Sequence, residues 1–179
     1  MNTLIGEHIY LRALEPEDIE VLYSIENNEG FWNVGETITP FSRYVLKEYL
    51  SNAYKDIYES RQLRMIVCDN QSKGFLGLVD LFDFDPHNLR AGVGIIIAAN
   101  ESRKRGYGFE VLALLKKYCA SHLKLHQLYA NIEETNTPSV ALFEKAEFKK
   151  VGLKKDWRRI QTIDGMERYT NEYLYQYIF

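Results

Sequence analysis

The sequence predicts a single α/β domain with mixed strand pairing. Three observations carry that prediction. Strand-like and helix-like segments alternate along the chain. The nearly continuous apolar run Gly92 to Ala98 reads as a strand buried on both faces, and it passes through a polar turn into a helix. Near the C-terminus, two long strand-like segments flank Asp164-Gly165, a hairpin signal. With 179 residues, 46% of them hydrophobic, the chain has enough apolar surface for its own core. No repeat, low-complexity run or proline-rich linker divides it, so residues 1–179 are expected to form one domain.

Ile9, Leu11 and Ala13 alternate with Tyr10 and Arg12 as a first strand. Pro16 then suits a helix start, with Ile19, Leu22 and Tyr23 at helical spacing. A loop from Asn27 to Pro40 leads to a second helix, Tyr44 to Tyr58. Leu63 to Val67 and Gly74 to Asp83 follow as strands joined by a polar turn. After the apolar fourth strand, Val111, Leu114, Leu115, Tyr118 and Cys119 share one face of a helix. Gln127 to Ile132 is a strand and Pro138 to Ala146 a helix. In the last strand Tyr173, Tyr175 and Tyr177 share one face, expected to be core or a self-association surface.

Composition narrows the function. A net charge of -3 disfavours a dedicated nucleic-acid binder, and no run approaches the roughly twenty apolar residues of a membrane span. Met1 to Arg12 lack the order of a signal peptide, so the chain reads as cytoplasmic, with no membrane partner. Cys68 and Cys119 lie in apolar runs and read as buried, reduced thiols. Charge is unevenly distributed. Ala13 to Ser42 contains no Lys, Arg or His but holds Glu15, Glu17, Asp18, Glu20, Glu26, Glu29 and Glu36, whereas cations cluster at Arg103 to Arg105, at Lys116 and Lys117, and from Lys145 to Arg159. Two solvated faces would account for this; so would an amine site at one end and an anion site at the other. His122 and His126 have helical metal-ligand spacing but no third ligand, so no metal is expected.

The segment richest in chemistry is Arg103-Lys104-Arg105-Gly106-Tyr107-Gly108, set between the buried strand and a helix. Glycines there let successive N–H groups converge on an anion, and the helix dipole adds positive potential, as a diphosphate cradle requires. Val111 stands where a dinucleotide fold needs its third glycine, and the Gly-Lys-Ser/Thr of a P-loop is absent. The second segment is Asn136-Thr137-Pro138-Ser139, leading to Leu142-Phe143-Glu144-Lys145-Ala146-Glu147-Phe148. By itself it is a well-capped helix.

Together the two segments resemble the GNAT superfamily of acetyl-coenzyme A-dependent N-acetyltransferases over almost the whole chain. Arg103 to Gly108 matches the family's pyrophosphate loop, and Asn136 to Phe148 resembles its Asn-x-x-(Ala/Ser)-x-x-Leu-Tyr-Glu-Lys-x-Gly-Phe signature. Leu11 to Asp18, Gly77 to Leu81 and Arg90 to Ile97 add to a likeness with the spermidine N-acetyltransferases and, next, the ribosomal-protein N-terminal acetyltransferases. The resemblance implies an α/β (α+β) single domain whose mixed, mostly antiparallel sheet carries helices on both faces and splays between the fourth and fifth strands after Ile97. Acetyl-CoA would be the cosubstrate, held by Ile96, Ile97, Ala98, Arg103, Lys104, Arg105, Gly106, Tyr107, Gly108, Asn136 and Ser139. The acceptor implied is a polyamine or diamine such as spermidine, with Glu29, Trp32 and Glu36 framing it, and a homodimer or higher homo-oligomer is a further expectation. A protein N-terminus as acceptor, or a degenerate acetyl-CoA sensor without turnover, are the alternatives.

Two departures mark the chemistry. The family's usual acid, a tyrosine, falls at Phe143, and the glutamate often used as base falls at Gly92. A thiol of pKa about 8.5 leaves as the thiolate, so a missing acid costs on the order of a hundredfold. An amine of pKa about 10 must lose a proton first, so a base matters more. Asp80, Asp83, Glu133 and Glu134 are the candidate carboxylates; Asp80 is preferred, with Asp83 expected on the opposite face.

Overall fold

The computed structural model describes residues 2–35, 37–98, 105–161 and 167–179. Among them, one sheet holds β1 (Ile9–Ala13), β2 (Leu63–Asp69), β3 (Phe75–Asp85), β4 (Arg90–Ile97), β5 (Gln127–Glu133), β6 (Lys149–Gln161) and β7 (Glu167–Ile178). Their order is β1-β2-β3-β4-β5-β7-β6, antiparallel throughout except for β4 against β5. The hairpin appears as β6 pairing β7 up to Gln161↔Glu167, while its turn at Asp164-Gly165 lies outside the described residues. β7 sits between β5 and β6, so the tyrosine strand is not an edge open to a partner. Its aromatic face is core: Tyr175 is fully buried, and Tyr173 and Tyr177 pack against the same cluster.

The helices are α1 (Ile19–Glu26), α2 (Glu29–Gly35), α3 (Arg43–Ser51), α4 (Ile57–Ser60), α5 (Tyr107–Tyr118) and α6 (Thr137–Lys145). Two expectations need correction. The stretch read as a loop contains α2, and the helix read from Tyr44 to Tyr58 is broken in two. Ser51 Oγ and the Asn52 amide both donate to the Glu48 carbonyl, each at 2.8 Å, an exit from the helix that these short polar side chains favour. The Asp56 carboxylate then starts α4 by accepting from the Tyr58 and Glu59 amides at 2.9 and 3.0 Å.

Strand alternation sorts the core into two layers. Met65, Val67, Val79 and Leu81 pack with α5 residues Val111, Leu112 and Leu115 and with Phe143 and Ala146 near α6. Ile66, Cys68 and Leu78 face the other way, against Leu22 and Ile25 of α1 and Leu46 of α3. Both cysteines are buried and free, and burial pushes the Cys119 thiol up to about 12.

β1 is tied to the start of α1 by ions. Arg12 donates to both Asp18 oxygens at 2.7 and 2.8 Å, and the same carboxylate accepts from the Glu15 amide at 2.8 Å. These bonds hold the Asp18 carboxyl below its ordinary value, with Arg12 the largest cause. A carboxylate lowered on folding stabilises the fold above its unfolded value and loses that contribution as pH falls through the folded one. Asp18→Asn is expected to lower stability at pH 7 by about 1–3 kcal/mol, the range for hydrogen bonds to a charged group. Urea unfolding of wild type and variant should converge as the pH is lowered from 7 toward 2.5.

Candidate active site

The site is an opening in the sheet. β4 and β5 pair only at Arg90↔Gln127, Ala91↔Leu128 and Gly92↔Tyr129, so they part after Gly92 rather than after Ile97 as expected. Each strand then follows its other neighbour: β4 stays with β3 to Gly77↔Ile97, and β5 runs with β7 to Glu133↔Glu172. A cleft of about 490 Å³ opens between them. Val93, Gly94 and Ile95 form one wall, residues Ala130 to Glu133 the other, and Asn136, Ser139 and Phe143 reach it from α6.

The Ala98 amide donates to the Leu76 carbonyl at 2.9 Å, which fixes the alternation along β4. Backbone groups of Ala98, Ile96 and Gly94 turn toward β3; those of Val93 and Ile95 turn toward the cleft. Of the triplet expected to hold the cosubstrate, Ile96 and Ala98 therefore turn their backbone groups to β3, and Ile97 alternates away from it.

The phosphate end lies at the start of α5. Arg103 and Lys104 fall outside the described residues; Arg105 is exposed, and Gly106 has φ 85, a left-handed turn that a side chain would strain. Gly106, the residue before α5, has no side chain of its own to cap the helix, and the helix dipole adds positive potential at this end. Glu110, the acid of that first turn, is drawn away by the His8 and Ile9 amides at 2.9 and 3.4 Å. Gly108 has a different reason: a Cβ there would lie 3.0 Å from Leu142, so the glycine lets α6 approach α5. Tyr107 is half-buried against the core. The Asn136 side chain caps α6 by accepting from the Ser139 amide at 3.2 Å, holding both residues at the cleft. Amide-lined strand, open cleft and uncapped helix start together suit an acyl carrier with a diphosphate.

Neither usual proton-transfer position carries a titratable group. Phe143 is buried edge-on to Phe148, with ring centroids 5.0 Å apart. At Gly92 an added Cβ would lie 2.3 Å from the Phe82 ring, which occupies the space of the absent side chain. Asp80 lines the cleft, but Arg64 grips both its oxygens at 2.6 and 3.1 Å and also bonds Glu26 of α1. Asp83 lines the same cleft, contrary to the opposite-face expectation. Strict alternation is broken by a register shift between Phe82 and Asp85, where Asp83 adopts φ 48. Its carboxylate accepts from the Tyr129 phenol at 3.3 Å. Glu133 is at the rim, accepting from Thr135 at 2.8 Å, whereas Glu134 is committed to Asn171 and Thr170, which hold it below the ordinary range.

Three of the seven acids in the acidic stretch are paired with cations from elsewhere. Asp18 pairs with Arg12, Glu20 with Arg43 and Glu26 with Arg64, while Glu29 stays exposed at the start of α2. Glu36 lies outside the described residues. Trp32 donates its indole N–H to the Glu26 carbonyl at 2.8 Å and lines a second cleft with Ile38, Trp157 and Arg159. Glu133 and Arg158 border both clefts, so the second continues the first outward.

Residues 8–149 match the family model of the acetyltransferase (GNAT) domain. The chain belongs to the GNAT acetyltransferase family. It is 28% identical over 148 residues to spermidine N(1)-acetyltransferase of Vibrio cholerae, covering 83% of each chain. An uncharacterized N-acetyltransferase p20 of Bacillus licheniformis is 28% identical over 165 residues, covering 89% of each. The crystal structure of the Vibrio cholerae spermidine N-acetyltransferase with CoA and spermine superposes with a TM-score of 0.82 at 25% identity over 95% of both chains. The protein is thus an acetyl-CoA-dependent N-acetyltransferase.

Sequence reasoning missed Arg64, Phe82 and Tyr129. An arginine inside the apolar strand Leu63 to Val67 was a visible sign of a half-buried ion pair; nothing local shows that Phe82 sits over Gly92, because a strand register is required. Gly92→Glu, which writes the family's base back into β4, is expected to lower the melting temperature and reduce turnover. Adding Phe82→Ala should move the melting temperature back toward wild type, as thermal melts and thiol-release assays will check.

Proposed function

We propose that this GNAT enzyme acetylates a primary amine of a small polyamine or diamine such as spermidine. One observation carries the reading: the cleft presents three carboxylates, Asp80, Asp83 and Glu133, against two guanidinium groups, Arg64 and Arg158, and Glu26 joins Arg64 from behind. A flexible polycation is attracted to such a lining, and Trp32 at the adjoining cleft offers an aromatic surface for methylenes or a cation. The likeness to spermidine acetyltransferases supports the same class.

In the proposed reaction the neutral amine attacks the thioester carbonyl. A new C–N bond forms, the C–S bond breaks, and CoA leaves as thiolate. Amides of β4 facing the cleft stabilise negative charge on the carbonyl oxygen, a contribution that needs no particular side chain. Over the cycle the ammonium form loses two protons; one returns to the thiolate and one reaches solvent.

A protein N-terminus is the second reading, favoured by the outer cleft of Trp32, Trp157 and Ile38, which would receive residues following the acetylated one. Thiol release from acetyl-CoA, measured with spermidine, spermine, short diamines, aminoglycosides and N-terminal peptides, is expected to saturate with the polyamines or diamines. Saturation with peptides alone would transfer the assignment to the second reading, and cofactor binding without turnover on any amine would mark a sensor. The double variant Arg103→Ala, Arg105→Ala is expected to weaken acetyl-CoA binding tenfold or more without changing the melting temperature, as calorimetry and thermal melts will report.

A further inference from the structure

We infer that Asp83 accepts the proton from the acceptor amine, in place of the carboxylate that β4 lacks at Gly92, and that Tyr129 positions it. The inference rests on the amine-acetylation reading above and names a group within that site.

The argument is one of place. Phe82 and Tyr129 are the two register partners of Gly92, on β3 and β5, and the Phe82 ring fills the volume that a side chain on β4 would take. The Phe82 and Tyr129 rings meet edge-on with centroids 5.8 Å apart. The residue after Phe82 is Asp83. On a regular strand its side chain would point to the opposite face, but φ 48 and the register shift beside it keep it at the cleft. The hydrogen bond from the Tyr129 phenol then crosses β4 at Gly92. A carboxylate is thereby delivered from β3 to the end of the cleft where β4 and β5 still pair, next to the vacated position. It is exposed, so a captured proton has a path to water.

The other carboxylates are less suited. Arg64 occupies both oxygens of Asp80, Glu134 is bonded to Thr170 and Asn171, and Glu133 stands at the far rim shared with the outer cleft. The ionisable groups around Asp83 are Asp80 and Asp85 on its own strand, Arg64 from β2, Arg90 from β4, Tyr129 and Glu133 from β5, and Arg158 from β6. Arg90 is engaged by Asp85 at 3.1 Å, and Tyr129 is pushed up to about 12 by burial and by the neighbouring Asp83 charge, so it stays a donor across the working range.

In the step assigned, the amine N–H bond breaks with its electron pair left on nitrogen. The proton passes to an Asp83 oxygen and on to solvent, and the freed pair forms the bond to the acetyl carbon.

Asp83→Asn is the decisive variant, because asparagine tolerates left-handed φ as readily as aspartate and should leave the bulge intact. With spermidine, kcat near pH 7 is expected to fall roughly 10²- to 10³-fold, within the range for general-base catalysis. The acid limb of the kcat profile should give way to a rate still climbing tenfold per pH unit in the alkaline range. Acetyl-CoA affinity by calorimetry should change less than twofold. Tyr129→Phe, which keeps the carboxylate, should cost less than tenfold and retain the acid limb. Wild-type turnover that survives Asp83→Asn within threefold, with its acid limb unchanged, overturns the assignment alone. Absence of turnover in wild type with every amine tried overturns the acetylation reading and the assignment with it.

Discussion

The structure depends on the parting of β4 from β5. A sheet strand satisfies its backbone on two sides, and a strand that loses one neighbour midway exposes a row of amides and carbonyls that must find another partner. Here β4 remains bonded to β3 through Ile97 while pairing with β5 ends at Gly92, and the open edge faces a cleft instead of a strand. That arrangement offers main-chain groups to an extended ligand, and it survives because β5 is held by β7 over all seven of its residues. The insertion of β7 between β5 and β6 is thus a condition for the site as well as a feature of topology.

Part of the charge in and around the cleft is arranged in ion pairs. Arg64 joins α1 to β3 through Glu26 and Asp80, and Arg158 on β6 donates to the buried Glu172 at 2.5 Å. Lys154 meets the same Glu172 at 2.8 Å, so this buried carboxylate receives two cations. An ion pair of this kind constrains geometry more than it stabilises the fold, because desolvation offsets much of the attraction. The consequence is selectivity: carboxylates with cations already attached are poor proton acceptors, which leaves the less encumbered ones for chemistry.

The departures from the family signature are correlated structurally. Phe82 can cover Gly92 only because that residue has no side chain, and the bulge that follows Phe82 gives Asp83 its orientation. Glu147, where the family has glycine, adopts φ 70 at the end of α6, a conformation costing a non-glycine residue about 1–2 kcal/mol. Lys116 meets this helix end, donating to the Ala146 carbonyl at 2.9 Å and to the Glu147 carboxylate at 3.2 Å.

Periodicity in the sequence was enough to determine most strands, α5 and α6, since burying apolar side chains at period 2 or 3.6 depends on local order alone. The glycine turn before α5 and a cap at Asn136 or Thr137 were legible from residue type, and the structure puts the cap at Asn136. The break between α3 and α4 was not, because two side chains competing for the Glu48 carbonyl look like ordinary helix residues in a pattern count. Tertiary structure alone decided where β4 and β5 separate, which backbone groups face the gap, and which carboxylates are already paired. Those properties follow from register between segments distant in sequence. The contact of Phe82 with Gly92 and the reach of Tyr129 to Asp83 across β4 exist only once three strands have aligned.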